Sequence, residues 1–208
     1  DAYVANGSGA FKLPDLNAMP AIRPPYVPEE LKGKWTPYMR NENGARYWAI
    51  PGREGFEHII AGIEKDSQTG VISTDPENHQ LMTDLRRQKV ERIPVPDLQV
   101  MGDADDAELL IVGFGGTYGH LHAAMDTMRK EGHKVAMVHF RHINPLPANT
   151  AEVLRKYPHV VVAEQNCGQL AAWLRMNVEG FSPEQYYEFN GHPYLHANPV
   201  ENPTRRFF

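Results

Sequence analysis

The chain has 208 residues, 41% hydrophobic and 23% charged, with a formal net charge of −5 at pH 7. That balance is ordinary for a globular protein; the scattered Lys and Arg exclude a dominant nucleic-acid footprint, and no run of about 18 apolar residues marks a membrane span. The single cysteine, Cys167, excludes an internal disulfide and a Cys-rich zinc or iron–sulfur site within this chain, and fits a reducing cytoplasm.

The chain begins at Asp1 without a Met and without a charged segment leading into an apolar one. No signal peptide is visible, and a piece of a longer chain is expected. Proline is unevenly placed: seven of 17 fall in the first 51 residues and none between Asp97 and Asn144. The front therefore reads as irregular. Asn6-Gly7-Ser8-Gly9 is a turn signal, Pro24-Pro25 with Pro28 reads as extended chain, and Tyr47-Trp48-Ala49-Ile50 reads as a short strand. Such a stretch is poor in apolar periodicity and is not expected to bury a core of its own. Residues 73–92 predict a helix. Thr74 stands three before Glu77 with Pro76 in the first turn, and Leu81 and Leu85 are four apart, with Met82 and Val90 near the same face. Ile93-Pro94-Val95-Pro96 ends it, and Gly102-Asp103-Ala104-Asp105-Asp106 reads as a linker. A boundary near 104 separates residues 1–104 from 105–208.

After that boundary the pattern alternates cleanly. Glu108 to Gly113 is an apolar run for a strand buried on both faces. Thr117 to Gly132 has Leu121, Ala124, Met125 and Met128 at helical spacing. Lys134 to Phe140 is a second strand, Thr150 to Tyr157 a helix, His159 to Ala163 a third strand and Gly168 to Val178 a last helix. Alternation at this spacing predicts an α/β fold with a parallel sheet.

Four constellations invite chemistry. Gly113-Phe114-Gly115-Gly116-Thr117-Tyr118-Gly119 joins a strand to a helix, where glycines and a helix start suit an anion. A dinucleotide fingerprint would need Gly at 118 and an acid closing the second strand, but Tyr118 and Arg141-His142 stand there, so a tight turn is the favoured reading. Second, the strand ends bring Arg141, His142, Asn144, Glu164, Gln165 and Asn166 to one sheet edge, where ligands bind in open α/β folds. Glu and His there suit acid–base work; the favoured alternative is that they cap helices and face neighbouring chains. Third, none of the ten histidines makes the i, i+4 zinc-helix pattern: His120 and His122 point to different faces, His139 and His142 straddle a strand end, and His192 and His196 lie in a Pro-rich tail. Fourth, Cys167 sits at a helix start but lacks any nucleophile motif and reads as a small buried residue.

The run Val138-His139-Phe140-Arg141-His142-Ile143-Asn144-Pro145-Leu146-Pro147, followed by Val160 to Asn166, resembles the transketolase C-terminal domain of thiamine-diphosphate enzymes. Gly113 to Gly119 and Asn166-Cys167-Gly168-Gln169-Leu170 resemble the alpha subunit of 2-oxoacid:ferredoxin oxidoreductases, particularly the 2-oxoglutarate type. Asp1 to Ser8, Ile50-Pro51-Gly52, Gly55-Phe56-Glu57-His58 and Asp75-Pro76-Glu77-Asn78-His79 are similar to that subunit in the same order. The similarity runs from residue 1 to about 193 and stops in the tail from Asn198.

The resemblance implies a three-layer transketolase C-terminal-like domain over 105–208. It implies that 1–104 holds the end of a pyrimidine-binding domain, a connecting arm and a helix. It also implies a complex that oxidatively decarboxylates a 2-oxoacid to an acyl-CoA and reduces ferredoxin. Thiamine diphosphate, Mg and an iron–sulfur cluster would belong to that complex, none bound wholly by this chain. The partners implied are the rest of the alpha chain and a beta subunit, with ferredoxin and CoA. The Glu expected to activate thiamine lies outside this sequence, so assembly contacts rather than activity are expected of it alone. Gly113, Gly115, Gly116, Thr117, Arg141, His142, Asn144, Glu164 and Asn166 form the expected ligand or interface edge, with no catalytic or metal-binding residue assigned. The alternatives are a stand-alone anion- or nucleotide-binding module and the dimerisation domain of another thiamine-diphosphate enzyme.

Overall fold

The computed structural model describes residues 15–59 and 62–187. The motif at residues 1–8, the turn at residues 6–9, His192, His196 and the tail from Asn198 lie outside them. The chain divides into two compact units between Pro94 and Val95.

In the front unit, Pro76–Glu91 forms helix α1. Its N-cap is Asp75, not Thr74: the Asp75 carboxylate accepts from the backbone N–H groups of Glu77 and Asn78, each at 3.2 Å. Pro76 takes the first helical position, where a missing N–H costs nothing, so the residue directly before it is the one placed to cap. Of the expected face, Met82 is buried, together with Asn78, but Leu81 is 45% exposed. Asn78 explains this: its side chain donates to the Lys65 carbonyl and accepts from the Ser67 N–H, both at 2.9 Å, which fixes the helix on the 64–73 segment. The expected strand at Tyr47–Ile50 is reduced to one bridge, Tyr26 with Trp48, and a second bridge, Arg40 with Arg46, lies just before it. The unit nevertheless buries Val27, Phe56 and Met82, and Trp35 packs edge-on against Phe56 and His58. The front stretch thus buries Val27 together with residues that follow it, Phe56 and, in α1, Met82.

The second unit is a five-stranded sheet. Its strands are β1 (Val100–Gly102), β2 (Leu109–Phe114), β3 (Val135–Phe140), β4 (His159–Glu164) and β5 (Glu184–Tyr187), in the order β1-β3-β2-β4-β5. Strands β2 to β5 pair in parallel and β1 runs antiparallel on β3, so the sheet is mixed at one edge. The expected linker at Gly102–Asp106 is therefore built structure. Gly102 has φ +83°, and a Cβ there would stand 2.5 Å from the Val135 carbonyl. Asp103 accepts from Arg129 at 2.9 and 3.0 Å and from the Val135 N–H at 3.1 Å, which clamps the turn onto the sheet.

Helices α2 (Tyr118–Lys130), α3 (Thr150–Lys156) and α4 (Gln169–Asn177) cover both faces. Period-two alternation sends Leu109, Ile111, Val135 and Met137 to one face, packed on Leu121, Met125 and Met128 of α2. It sends Leu110, Val112, Ala136 and Val138 to the other, packed on Val153 and Leu154 of α3 and Leu170 and Leu174 of α4. Strand β2 is central. The chain leaves it over one face to reach β3, then crosses to β4 under the other. The carboxyl ends of β2 and β4 therefore flank a topological switch point, where open α/β sheets form their crevice.

Candidate functional site

The expected residues converge on that edge. Strands β2, β3 and β4 end at Phe114, Phe140 and Glu164, and these strand ends and the loops that follow carry the residues of the expected edge. Their chemistry differs from one to the next.

The Gly113–Thr117 segment is a tight 3-10 turn, Gly115–Thr117, leading straight into α2. Thr117 is buried. Its Oγ1 donates to the Phe114 carbonyl at 2.9 Å and accepts the Phe114 N–H at 3.3 Å, locking the turn on itself. Gly113 is glycine for packing. A Cβ there would lie 2.3 Å from Leu121 Cδ1, 3.0 Å from Thr117 Oγ1 and 3.3 Å from the His139 ring. Gly115 has φ +65°, which an L side chain rarely adopts.

At the end of β4, Glu164 is 3% exposed, and its carboxylate accepts from the backbone N–H groups of Leu170 at 2.6 Å and Ala171 at 3.1 Å. It places a negative charge against the unsatisfied N–H groups and positive dipole end of α4. Asn166 accepts from Gly168 N–H at 2.8 Å and Gln169 N–H at 3.1 Å, bending the chain into the helix. These acceptors hold α4, so acid–base chemistry by Glu164 would have to compete with its helix cap. Cys167 is exposed, which corrects the expectation of a buried residue; it rides on the outside of the turn that Asn166 and the left-handed Gly168 (φ +89°) create.

After β3, Arg141, His142 and Asn144 are exposed. Their loop is tied down from α4, where Trp173 Nε1 donates to the Ile143 carbonyl at 2.7 Å, and from Thr150, which donates to the Pro147 carbonyl at 2.6 Å. A fixed backbone thus presents Arg141 and His142 outward, in a form suited to anionic groups.

His139 is the residue that sequence reasoning left unused. It alternates with Val135 and Met137 and so faces α2, where its ring meets Tyr118 at 5.2 Å in an edge-on contact; Tyr118 in turn packs on His122 at 5.7 Å. Burial pushes the His139 imidazole below its usual pKa, partly offset by a hydrogen bond to the Gly115 backbone. Its Nε2 is buried without a hydrogen-bond partner. The period-two pattern of β3 is the signal that places it. Among the described residues no group of three His, Cys, Asp or Glu side chains could hold a metal ion, and no helix is long and apolar enough to cross a membrane.

Comparison with known proteins agrees with the resemblance in the motifs. Residues 107–191 match the family described as pyruvate:ferredoxin oxidoreductase core domain II. The chain is 48% identical over 177 residues to the 2-oxoglutarate oxidoreductase subunit KorA of Mycobacterium tuberculosis, which covers 84% of this chain and 27% of that protein. It is 30% identical over 208 residues to the alpha subunit of 2-oxoacid:ferredoxin oxidoreductase 1 of Aeropyrum pernix, covering 94% of this chain and 32% of that one. Among solved structures, it matches 2-oxoglutarate:ferredoxin oxidoreductase from Magnetococcus marinus, solved with 2-oxoglutarate, coenzyme A and succinyl-CoA bound. That match has a TM-score of 0.68 and 29% identity, over 76% of this chain and 28% of that one. The chain spans about a quarter to a third of the length of these relatives. A mixed sheet with helices on both faces, on a sequence this close to such subunits, makes the chain a member of the 2-oxoacid:ferredoxin oxidoreductase alpha-subunit family.

Proposed function

We propose that the chain works as part of a cytoplasmic 2-oxoacid:ferredoxin oxidoreductase acting on 2-oxoglutarate. In that reading the complex decarboxylates the oxoacid, transfers the acyl group to CoA and passes the electrons to ferredoxin. The observation that carries it is 48% identity over 84% of the chain to a 2-oxoglutarate oxidoreductase subunit.

Thiamine diphosphate, Mg and an iron–sulfur cluster belong to this chemistry, and the described residues do not fit any of them as a complete site. A cluster takes several thiolates, and the sequence has one cysteine. No acidic grouping among the described residues would anchor a Mg–pyrophosphate pair. In this reading those groups are held by the beta subunit and other parts of the alpha chain, and this chain's role is to build the assembly. The edge formed by Gly113, Gly115, Gly116, Thr117, Arg141, His142, Asn144, Glu164 and Asn166 is the surface we assign to that contact. The exposed Arg141 and His142 offer cationic and hydrogen-bonding groups to carboxylates of a neighbouring chain or of substrate, while Glu164 and Asn166 keep the loop in place. The packing of Leu121 over Gly113 argues against a nucleotide seated on that turn.

The test is ferredoxin reduction by the full alpha chain purified with its beta partner. Turnover that requires both 2-oxoglutarate and CoA is the expected result, and absence of turnover with every 2-oxoacid tried would sink the reading. At the assigned edge, Arg141→Ala is expected to weaken beta-subunit association or raise the KM for the oxoacid, measured by co-purification and steady-state kinetics. An unchanged complex with unchanged KM removes Arg141 from the edge.

A further inference from the structure

The front unit contains a feature separate from the sheet edge. A cleft of about 450 Å³ opens between the Tyr26–Trp48 and Arg40–Arg46 bridges and the face of α1. That volume lies within the range of small-ligand sites, roughly 300–1,000 Å³. Four basic side chains line it, Arg40, Arg46, Arg86 and Lys89, together with the rings of Tyr38 and Trp48. No acidic side chain is among its lining residues.

The charges in this cleft are poorly compensated. Arg86 is paired with Glu64 at 3.2 Å, and Glu64 is not among the lining residues. Among the described residues neither Arg46 nor Lys89 takes part in an ion pair; Arg46 lies over the Tyr38 ring at 4.7 Å. Arg40 donates from Nη1 to the Gly44 carbonyl at 3.0 Å, but its Nε is buried and has no partner. Burial, then the neighbouring Arg46 and Arg86, lower the Arg40 pKa, the mark of cations held together without an anion between them. Like charges held this close repel unless a counter-charge enters, and a buried guanidinium donor without an acceptor is costly. Trp48 adds an exposed aromatic face, 57% accessible, on which a planar ring can stack.

We infer that this cleft binds the phosphate ester of a nucleotide, with phosphate oxygens on Arg40, Arg46 and Lys89 and the base against Trp48. Guanidinium groups match phosphate in a bidentate way, and the aromatic wall distinguishes a nucleotide from a bare anion. Two sources share that chemistry, a free nucleotide and the adenine-nucleotide half of CoA; only the second rests on the proposed activity.

The experiment is equilibrium dialysis of ADP against the purified native protein, with inorganic phosphate as the anion-only probe. Saturable ADP binding is expected, weakening by about tenfold in an Arg46→Gln, Lys89→Gln double variant. Trp48→Leu is expected to weaken ADP and leave phosphate unchanged. Lys89→Gln alone, on the exposed side of α1, is expected to cost a few-fold and covers the case in which the double variant misfolds. Excess CoA that displaces ADP identifies the CoA source; ADP retained against CoA identifies a free nucleotide. No saturable ADP binding, or equal ADP affinity in wild type and all three variants, overturns the inference. Dialysis reads binding without turnover, so this outcome is independent of whether ferredoxin is reduced.

Discussion

Two residues at the sheet edge gain named partners in the fold. Gly113 ends an apolar run before a glycine-rich turn, which in sequence suggests room for a ligand. The space is taken by Leu121, Thr117 and His139. Gly113→Ala is therefore expected to destabilise the sheet unit by about 1–3 kcal/mol, since overpacking a filled position forces backbone or rotamer shifts; urea unfolding measures it, and a neutral change would mean that Leu121 can yield. Glu164 reads in sequence as a helix cap in preference to a base, and in the fold it caps α4. Glu164→Ala leaves two helix N–H groups without acceptors, at an expected cost of about 2 kcal/mol by the same measurement. Both residues were legible as special, because glycine and a buried acid are marked choices. The favoured readings, a tight turn and a helix cap, hold in the fold; the partners were not legible, because they come from α2 and α4.

At the scale of elements, the helices and central strands were legible because their signals are local. Uninterrupted apolar runs mark strands covered on both faces, and Leu121, Met125 and Met128 mark a helix face. The two edge strands were not. β5, Glu184-Gln185-Tyr186-Tyr187, has no apolar run because it is partly exposed at the sheet edge, and β1 is only three residues beside an acidic turn. Helix α1 shows how an element is held from outside its own sequence pattern. Glu64, on the 64–73 segment, accepts from Arg86 at 3.2 Å and contacts His79 at 2.6 Å, both on α1. The Arg86 and His79 side chains hold the Glu64 carboxyl down from 4.5 to about 2. Because the folded value is the lower one, this tie is in place above the unfolded carboxylate pKa and is lost as pH falls from about 4.5 to about 2. Glu64→Gln is expected to flatten the acid limb of the stability profile in that window, as read by circular dichroism on acid titration. A limb unchanged by the substitution assigns acid unfolding to other carboxylates, such as Asp103 on Arg129.

For the whole molecule, the division lies between Pro94 and Val95 rather than near residue 104. The acidic segment looked like a linker because its composition is that of a loop. It belongs to the sheet because β1 pairs with β3 and Asp103 clamps the turn. Limited trypsin digestion is expected to cut first at Arg92 and to leave a protected fragment that includes β1; early cutting near residue 104 would restore the composition-based boundary. The uneven prolines also take on a definite meaning. The Pro-free window from Asp97 to Asn144 holds β1, β2, α2 and β3, whose ladders need their N–H groups, while the Pro-rich front is organised by turns and single bridges.

The order of strands and helices, the α/β class and the family were determined by the sequence itself, because apolar periodicity, glycine stops and motif order are properties of neighbouring residues. The strand order about β2, the antiparallel β1, the acceptors committed to α4 and the gathering of Arg40, Arg46 and Lys89 around one cleft were decided only by the tertiary structure. Each depends on pairing, burial or charge between residues far apart in the chain, and no local pattern encodes which distant group will fill a space, accept a proton or leave a cation unpaired.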